Sequence, residues 1–115
     1  MCGFLVTPLN IKEDYANFLF DKYVSYRGTI PKKEIVWNNH RFQFARLPIV
    51  DINSFQNQPY IFDNNILVFN GELYNYLEIK EHLIKKYNLE FKTDSDSEVF
   101  LKAFLKLGPK KFFSR

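Results

Sequence analysis

The sequence predicts an α+β domain, and three observations carry the prediction. Apolar residues recur at helical spacing around residues 11–23, 76–87 and 96–107, while short apolar runs bounded by turn residues mark strands elsewhere. Strands and helices do not alternate as a parallel sheet of βαβ units requires, so segregated layers are expected. The 115 residues are 46% hydrophobic and 18% aromatic, with 13 Phe and 7 Tyr, enough apolar matter for one core. With 4 Gly and 5 Pro, collagen-like and low-complexity classes are excluded.

Gly3 to Thr7 reads as a short buried strand ended by Pro8. Asn10 with Glu13 has the spacing of a capping box, and the helix behind it presents Ile11, Tyr15, Phe18, Leu19 and Tyr23 as its packing face. Arg27-Gly28 ends that helix, and Pro31-Lys32-Lys33 reads as a loop. From Glu34 to Val50 the pattern is extended, with Phe42 and Phe44 alternating with Arg41, Gln43 and Arg46 as in a half-buried strand. Tyr60-Ile61-Phe62, Asp63-Asn64-Asn65 and Ile66-Leu67-Val68-Phe69 form a strand–turn–strand signal. A helix capped by Asn75, with Glu78 at its third position, buries Ile79, Leu83, Ile84 and Tyr87. Another opens at Ser95 with Glu98, buries Val99, Phe100, Ala103, Phe104 and Leu107, and stops at Gly108-Pro109. Phe112-Phe113 then has no following segment to pack against, so the chain reads as a fragment.

Charge and targeting signals narrow the function classes. The net charge is +3, and the lysine pairs at 32–33, 85–86 and 110–111 are scattered, so a nucleic-acid-binding stripe is not expected. One cysteine forms no internal disulfide, and with two histidines it makes a poor metal site. No apolar run approaches the roughly 20 residues of a membrane span, and the N-terminus lacks a signal-peptide pattern. A cytoplasmic chain, without membrane or nucleic-acid partners, is expected.

Four features could carry chemistry, and each has a bland reading. Removal of Met1 would leave Cys2 N-terminal, placing a thiol nucleophile and an α-amine base on one residue; a free α-amine titrates close to neutral pH. A lone cysteine is otherwise a small buried hydrophobe. The Asn70 amide and the Gly71 N–H could converge as an oxyanion hole, although Asn-Gly is also a common turn. Arg46 could grip a carboxylate through two parallel hydrogen bonds, or simply be a solvated strand residue. Asp96 and Glu98 could hold an ammonium group, or only favour a helix start.

Their order is more informative than any one of them. Cys2-Gly3-Phe4, Arg46-Leu47-Pro48-Ile49-Val50-Asp51, Gln58-Pro59, Phe69-Asn70-Gly71-Glu72-Leu73-Tyr74-Asn75-Tyr76 and Thr93-Asp94-Ser95-Asp96-Ser97-Glu98 together resemble the N-terminal glutaminase domain of asparagine synthetase, a class II (Ntn-type) glutamine amidotransferase. That resemblance implies a four-layer αββα sandwich, with Cys2 as nucleophile toward the glutamine side-chain amide and Asn70 and Gly71 as the oxyanion hole. It implies Arg46 on the α-carboxylate, Glu72 and Asp96 on the amino end, and Leu47 and Ile49 along the pocket. Residues 2–115 would be a partial domain lacking its closing strands. ATP and magnesium would belong to a synthetase domain outside this chain, which itself would need no cofactor, and a homodimer is compatible with the same resemblance. Three positions depart from the family pattern: Thr29-Ile30 follows Arg27-Gly28 in place of Pro-Asp, Phe44 stands where a His is common, and Asn57 replaces a small residue. The rival readings are a non-catalytic amidotransferase-like module supporting a partner domain and, more remotely, a small basic nucleic-acid-binding protein.

Overall fold

The structure, a computed structural model, describes residues 2–47 and 58–114. Strands β1 (Gly3–Pro8), β2 (Ile30–Trp37) and β3 (His40–Arg46) form an antiparallel sheet in the order β1-β3-β2. Helix α1 (Glu13–Tyr23) and a 3-10 turn (Ser25–Arg27) lie between β1 and β2. Strands β4 (Tyr60–Phe62) and β5 (Asn65–Leu67) make a separate antiparallel pair, followed by helices α2 (Tyr76–Tyr87), α3 (Asp96–Leu107) and α4 (Pro109–Phe112). The result is a mixed helix–sheet architecture whose described strand pairs are all antiparallel.

Both hairpins turn on paired residues in the left-handed region: Asn38 and Asn39 (φ 47° and 62°), and Asp63 and Asn64 (φ 48° and 56°). Positive φ at both central residues matches the strand twist, and Asn and Asp tolerate it best after Gly. The first of these turns divides what the sequence pattern presented as one extended run. Pro31-Lys32-Lys33 accordingly lies inside β2, where the register slips between Ile30 and Lys33, and is not a loop.

The register gives the three-stranded sheet two unlike faces. Leu5, Gln43 and Glu34 share one face with Thr7, Arg41 and Val36; Phe4, Phe44 and Lys33 share the other with Val6, Phe42 and Ile35. Helix α1 reaches the polar face. Asn17 Oδ1 accepts from Gln43 Nε2 and from Lys32 Nζ, each at 2.7 Å, and Glu13 pairs with Arg41 at 3.6 Å. Arg41 and Gln43 are therefore buried, not the solvent side of a half-buried strand.

That contact also corrects the packing face of α1. Ala16 and Phe20 are buried, whereas Tyr15, Phe18 and Tyr23 are exposed. Tyr15 and Phe18 stack on each other at 6.3 Å, with Lys22 over the Phe18 ring at 5.5 Å. A layer that must also seat Asn17, Arg41 and Gln43 accepts a small Ala and one Phe better than a row of bulky rings. The cap moves too: the helix starts after Lys12, so the Asn10–Glu13 box does not form.

The second core gathers Ile79 and Leu83 of α2, Val99 and Ala103 of α3, and Phe112 of α4, with Phe100, Phe104 and Leu107 packed against it. Ile84 stands largely exposed instead. Phe112 does have a partner: Gly108 (φ 77°) turns the chain, Pro109 starts α4, and the Phe112 ring meets Phe100 at 4.8 Å and Phe104 at 6.0 Å. Burying such a ring contributes about 1.5–3 kcal/mol. Ser95 caps α3 as expected, its Oγ accepting from Ser97 N–H at 3.2 Å. Among the described residues no helix is long and apolar enough to cross a membrane.

Candidate active site

Cys2 stands at the end of the sheet where β1 begins and β3 finishes. Its Sγ accepts from Leu47 N–H at 3.3 Å and lies 3.5 Å from Leu47 O, just beyond the last β1–β3 pair, Gly3 with Ala45. Arg46 is the last residue of β3, immediately before Leu47. This end of the sheet is locked from above by the 3-10 turn. Arg27 Nε donates to Cys2 O at 3.1 Å, and Thr29 N–H donates to Arg46 O at 2.9 Å.

Two glycines make that close fit attainable. A Cβ on Gly3 would come within 2.9 Å of the side chains of Arg27 and Val24. A Cβ on Gly28 would come within 2.6 Å of the backbone of Ala45 and Arg46, which cannot yield as a side chain can. Arg27-Gly28, read from sequence only as a helix stop, thus packs against the Cys2, Ala45 and Arg46 backbones.

A second group forms where β5 leads into α2. Asn70, Gly71 and Glu72 are exposed, but the residues on either side of them are tied down. Phe69 N–H donates to Gln58 Oε1, and Leu73 N–H donates to Asp96 Oδ2 at 3.2 Å. Gln58 Nε2 in turn donates to Ser97 Oγ at 3.0 Å. The Phe69 ring packs on Phe100 of α3 at 4.9 Å, and a Cβ on Gly71 would touch that ring at 3.0 Å. The first turn of α3 is therefore the anchor for the loop.

A buried ionic knot supports that turn. The Glu98 carboxylate, fully buried, accepts from Lys102 Nζ (2.7 Å), Thr93 Oγ1 (2.6 Å), Thr93 N–H (2.9 Å) and Lys92 N–H (3.0 Å). Lys102 also donates to Glu90 O at 2.6 Å and lies between the Phe62 and Phe91 rings, at 4.7 and 4.9 Å from their centroids. Burial alone would raise the Glu98 pKa, but the hydrogen bonds from Lys102, Thr93 and Lys92 outweigh it and hold the carboxyl below its ordinary value. Burial, then the neighbouring Glu98 charge, pushes the Tyr60 phenol up to about 12. Glu98 is thus committed to structure, and its carboxylate does not cap Ser95 as the sequence spacing suggested.

A family model for the glutamine amidotransferase domain matches residues 1–115. The chain belongs to this family. Among its relatives are asparagine synthetase [glutamine-hydrolyzing] 1 of Bacillus subtilis, 34% identical over 113 residues, and the probable asparagine synthetase of Schizosaccharomyces pombe, 34% identical over 116 residues. These matches cover 90% and 95% of this chain but 17% and 20% of the relatives. A second Bacillus subtilis asparagine synthetase is 36% identical over 87 residues, covering 74% of this chain and 11% of that protein. The chain thus spans a fifth or less of the length of these curated relatives. No solved structure matches it.

In this amidotransferase domain the site residues expected from sequence fall into two groups. Cys2, Arg46 and Leu47 lie together at the end of the three-stranded sheet, while the Asn70–Glu72 segment is tied to Asp96 at the start of α3 through the next residue, Leu73. The first group lies on the three-stranded sheet and the second lies outside both sheets, in the segment between β5 and α2 and at the first residue of α3, so strand pairing does not join them. Ile49 lies outside the described residues. Sequence reasoning gave no role to Gln58, Ser97 or Arg27, although Gln58-Pro59 and Arg27-Gly28 were both visible as motifs.

Proposed function

We propose that this chain is the glutaminase part of an asparagine-synthetase-type amidotransferase, hydrolysing glutamine to glutamate and ammonia. The family match over residues 1–115 carries the reading, and the placement of Cys2 against Leu47, one residue from Arg46, supports it. With Met1 removed, the Cys2 thiol passes its proton to its own α-amine, and sulfur attacks the carbonyl carbon (Cδ) of the glutamine side-chain amide. The Asn70 side-chain amide and Gly71 N–H hold the negative oxygen of the tetrahedral intermediate. As it collapses, the carbon–nitrogen bond breaks, the α-amine returns the proton, ammonia leaves, and a γ-glutamyl thioester remains. Water, deprotonated by the same amine, attacks the thioester carbon, releasing glutamate and restoring the thiol.

Arg46 grips the substrate α-carboxylate, Glu72 and Asp96 hold its ammonium, and Leu47 with Ile49 line the side-chain slot. We read the two sheets as inner layers of a four-layer αββα sandwich within a partial domain spanning residues 2–115, α1 covering one and α2 and α3 the other. The exposure of Phe4 and Val6 on the sheet face opposite α1 supports this layering. The low coverage of the relatives supports a synthetase partner domain, where ATP and magnesium would act while this chain needs no cofactor.

Intact mass and peptide mapping after incubation with a glutamine-like chloroketone test the proposal. Loss of Met1, labelling of Cys2 and protection by glutamine are expected. A folded chain that keeps Met1, or labels without glutamine protection, would refute it and favour the non-catalytic module.

A further inference from the structure

The exposed tripeptide Asn70-Gly71-Glu72 is held by its two ends, and both holds lead to one turn of α3. Upstream, Phe69 N–H reaches Gln58 Oε1; downstream, Leu73 N–H reaches Asp96 Oδ2. Gln58 is itself buried, and its Nε2 donates to Ser97 Oγ, the residue after Asp96. A glutamine suits this place because its amide offers an acceptor and a donor at a fixed separation. One face of that amide fixes a main-chain N–H just before the candidate oxyanion loop, and the other fixes the amide to a buried serine.

We infer that Gln58 is a positioning residue, which sets the Asn70–Gly71 donors for catalysis by clamping the Phe69 backbone to Ser97. This rests on the glutaminase reading and deepens it, since oxyanion donors act only when pre-aligned on the developing charge. The loop carries few tethers of its own, so the alignment is supplied from outside it. Loss of the clamp frees the upstream end while Asp96 still holds the downstream end.

The test compares the full chain with Gln58→Met, which fills similar space without hydrogen bonds, and Gln58→Glu. In Gln58→Glu the carboxylate still accepts from Phe69, and the Ser97 hydroxyl turns to donate to it. Three readouts are taken: amide hydrogen exchange at Phe69 and Leu73, Cys2 labelling by a glutamine-like chloroketone, and Cys2 labelling by iodoacetamide. For Gln58→Met the expected result is faster exchange at Phe69 with Leu73 unchanged, and chloroketone labelling slowed roughly 10–100-fold, the scale of a misplaced catalytic group. Iodoacetamide labelling stays unchanged, and Gln58→Glu recovers the chloroketone rate to within a few-fold. Unchanged Phe69 exchange overturns the clamp whatever the activity. A labelled wild type with an equally labelled Gln58→Met overturns the inference and leaves the glutaminase reading standing. A folded wild type that the chloroketone does not label overturns that reading, and the inference falls with it.

Discussion

Replacing Glu98 by Gln would unfasten the segment that carries the candidate loop, and its cost follows from the contacts it breaks. The carboxylate accepts four hydrogen bonds, one of them from a Lys102 ammonium that is also buried. An amide in the same position keeps one oxygen acceptor and turns an NH2 toward donors. With that oxygen at the Oε1 position Lys102 keeps its hydrogen bonds there and to Glu90 O, and its place between the Phe62 and Phe91 faces, but loses the Glu98 counter-charge, while the NH2 faces the Thr93 N–H. Leaving one partner of a buried pair uncompensated costs about 3–5 kcal/mol, a large share of the about 5–15 kcal/mol that holds a typical domain. Urea unfolding at neutral pH measures it. The pH dependence supplies a second check. Because the folded-state pKa of Glu98 lies below its ordinary 4.5, its stabilisation is complete above that value and is lost as pH falls through the lower, folded pKa. The gap between wild type and Glu98→Gln should therefore narrow on acidification. The double variant Glu98→Gln, Lys102→Met should recover part of the loss, since it removes the stranded charge. A cost under about 1 kcal/mol, or a gap that persists undiminished into acid, would refute the claim that this pair fastens α3.

Three further outcomes are expected. Tyr60 should resist ionisation until about pH 12 in an ultraviolet titration, with the stability linked to its neutral phenol complete below pH 10.0 and lost as pH rises through that folded value; Glu98→Gln should lower its pKa without restoring 10.0, because burial is the larger cause. Gly28→Ala drives a Cβ into the backbone of Ala45 and Arg46 at 2.6 Å, so urea unfolding should show a loss of about 1–3 kcal/mol, together with slower chloroketone labelling of Cys2. Asn39→Val puts a branched side chain at φ 62° and should lower stability by about 1–2 kcal/mol with no change in Cys2 labelling, whereas Asn39→Gly should be tolerated.

Local chemistry made some of this architecture readable. The Asp63-Asn64 turn was legible because consecutive Asp and Asn residues between short apolar runs leave few alternatives, and Ser95 announced α3 through its capping side chain. Asn38-Asn39 carried the same signal, but the extended pattern on both sides hid it. The α1 face was misread because aromatic spacing shows that a helix is amphipathic without showing what lies beneath it. Beneath α1 lies a row of polar residues, and Asn17, not Tyr15 or Phe18, was the informative side chain. The candidate site divides in the same way. Cys2, Arg46 and Asn70-Gly71 stood out through their chemistry and order. Gln58 did not, because its partners Phe69 and Ser97 lie 11 and 39 residues away, and no local rule ties a glutamine to either.

The two parts of the candidate site are held by different physical means, which makes them separable. The Cys2 end depends on strand pairing and on glycine-enabled contact with the Arg27–Gly28 turn, so its geometry is set by main chain against main chain. The Asn70–Glu72 loop depends on two side-chain hydrogen bonds to main-chain N–H groups, and those side chains depend on the first turn of α3. That turn is in turn tied through Glu98 to Lys92, Thr93 and Lys102. Weakening the knot therefore disturbs the groups assigned to the oxyanion and the substrate ammonium while leaving the nucleophile and Arg46 in place. Damage to Gly28 has the opposite effect. The generic reactivity of Cys2 and its selective reactivity toward glutamine-like electrophiles should then respond to different substitutions, the first to residues around β1 and β3, the second to those around α3 as well.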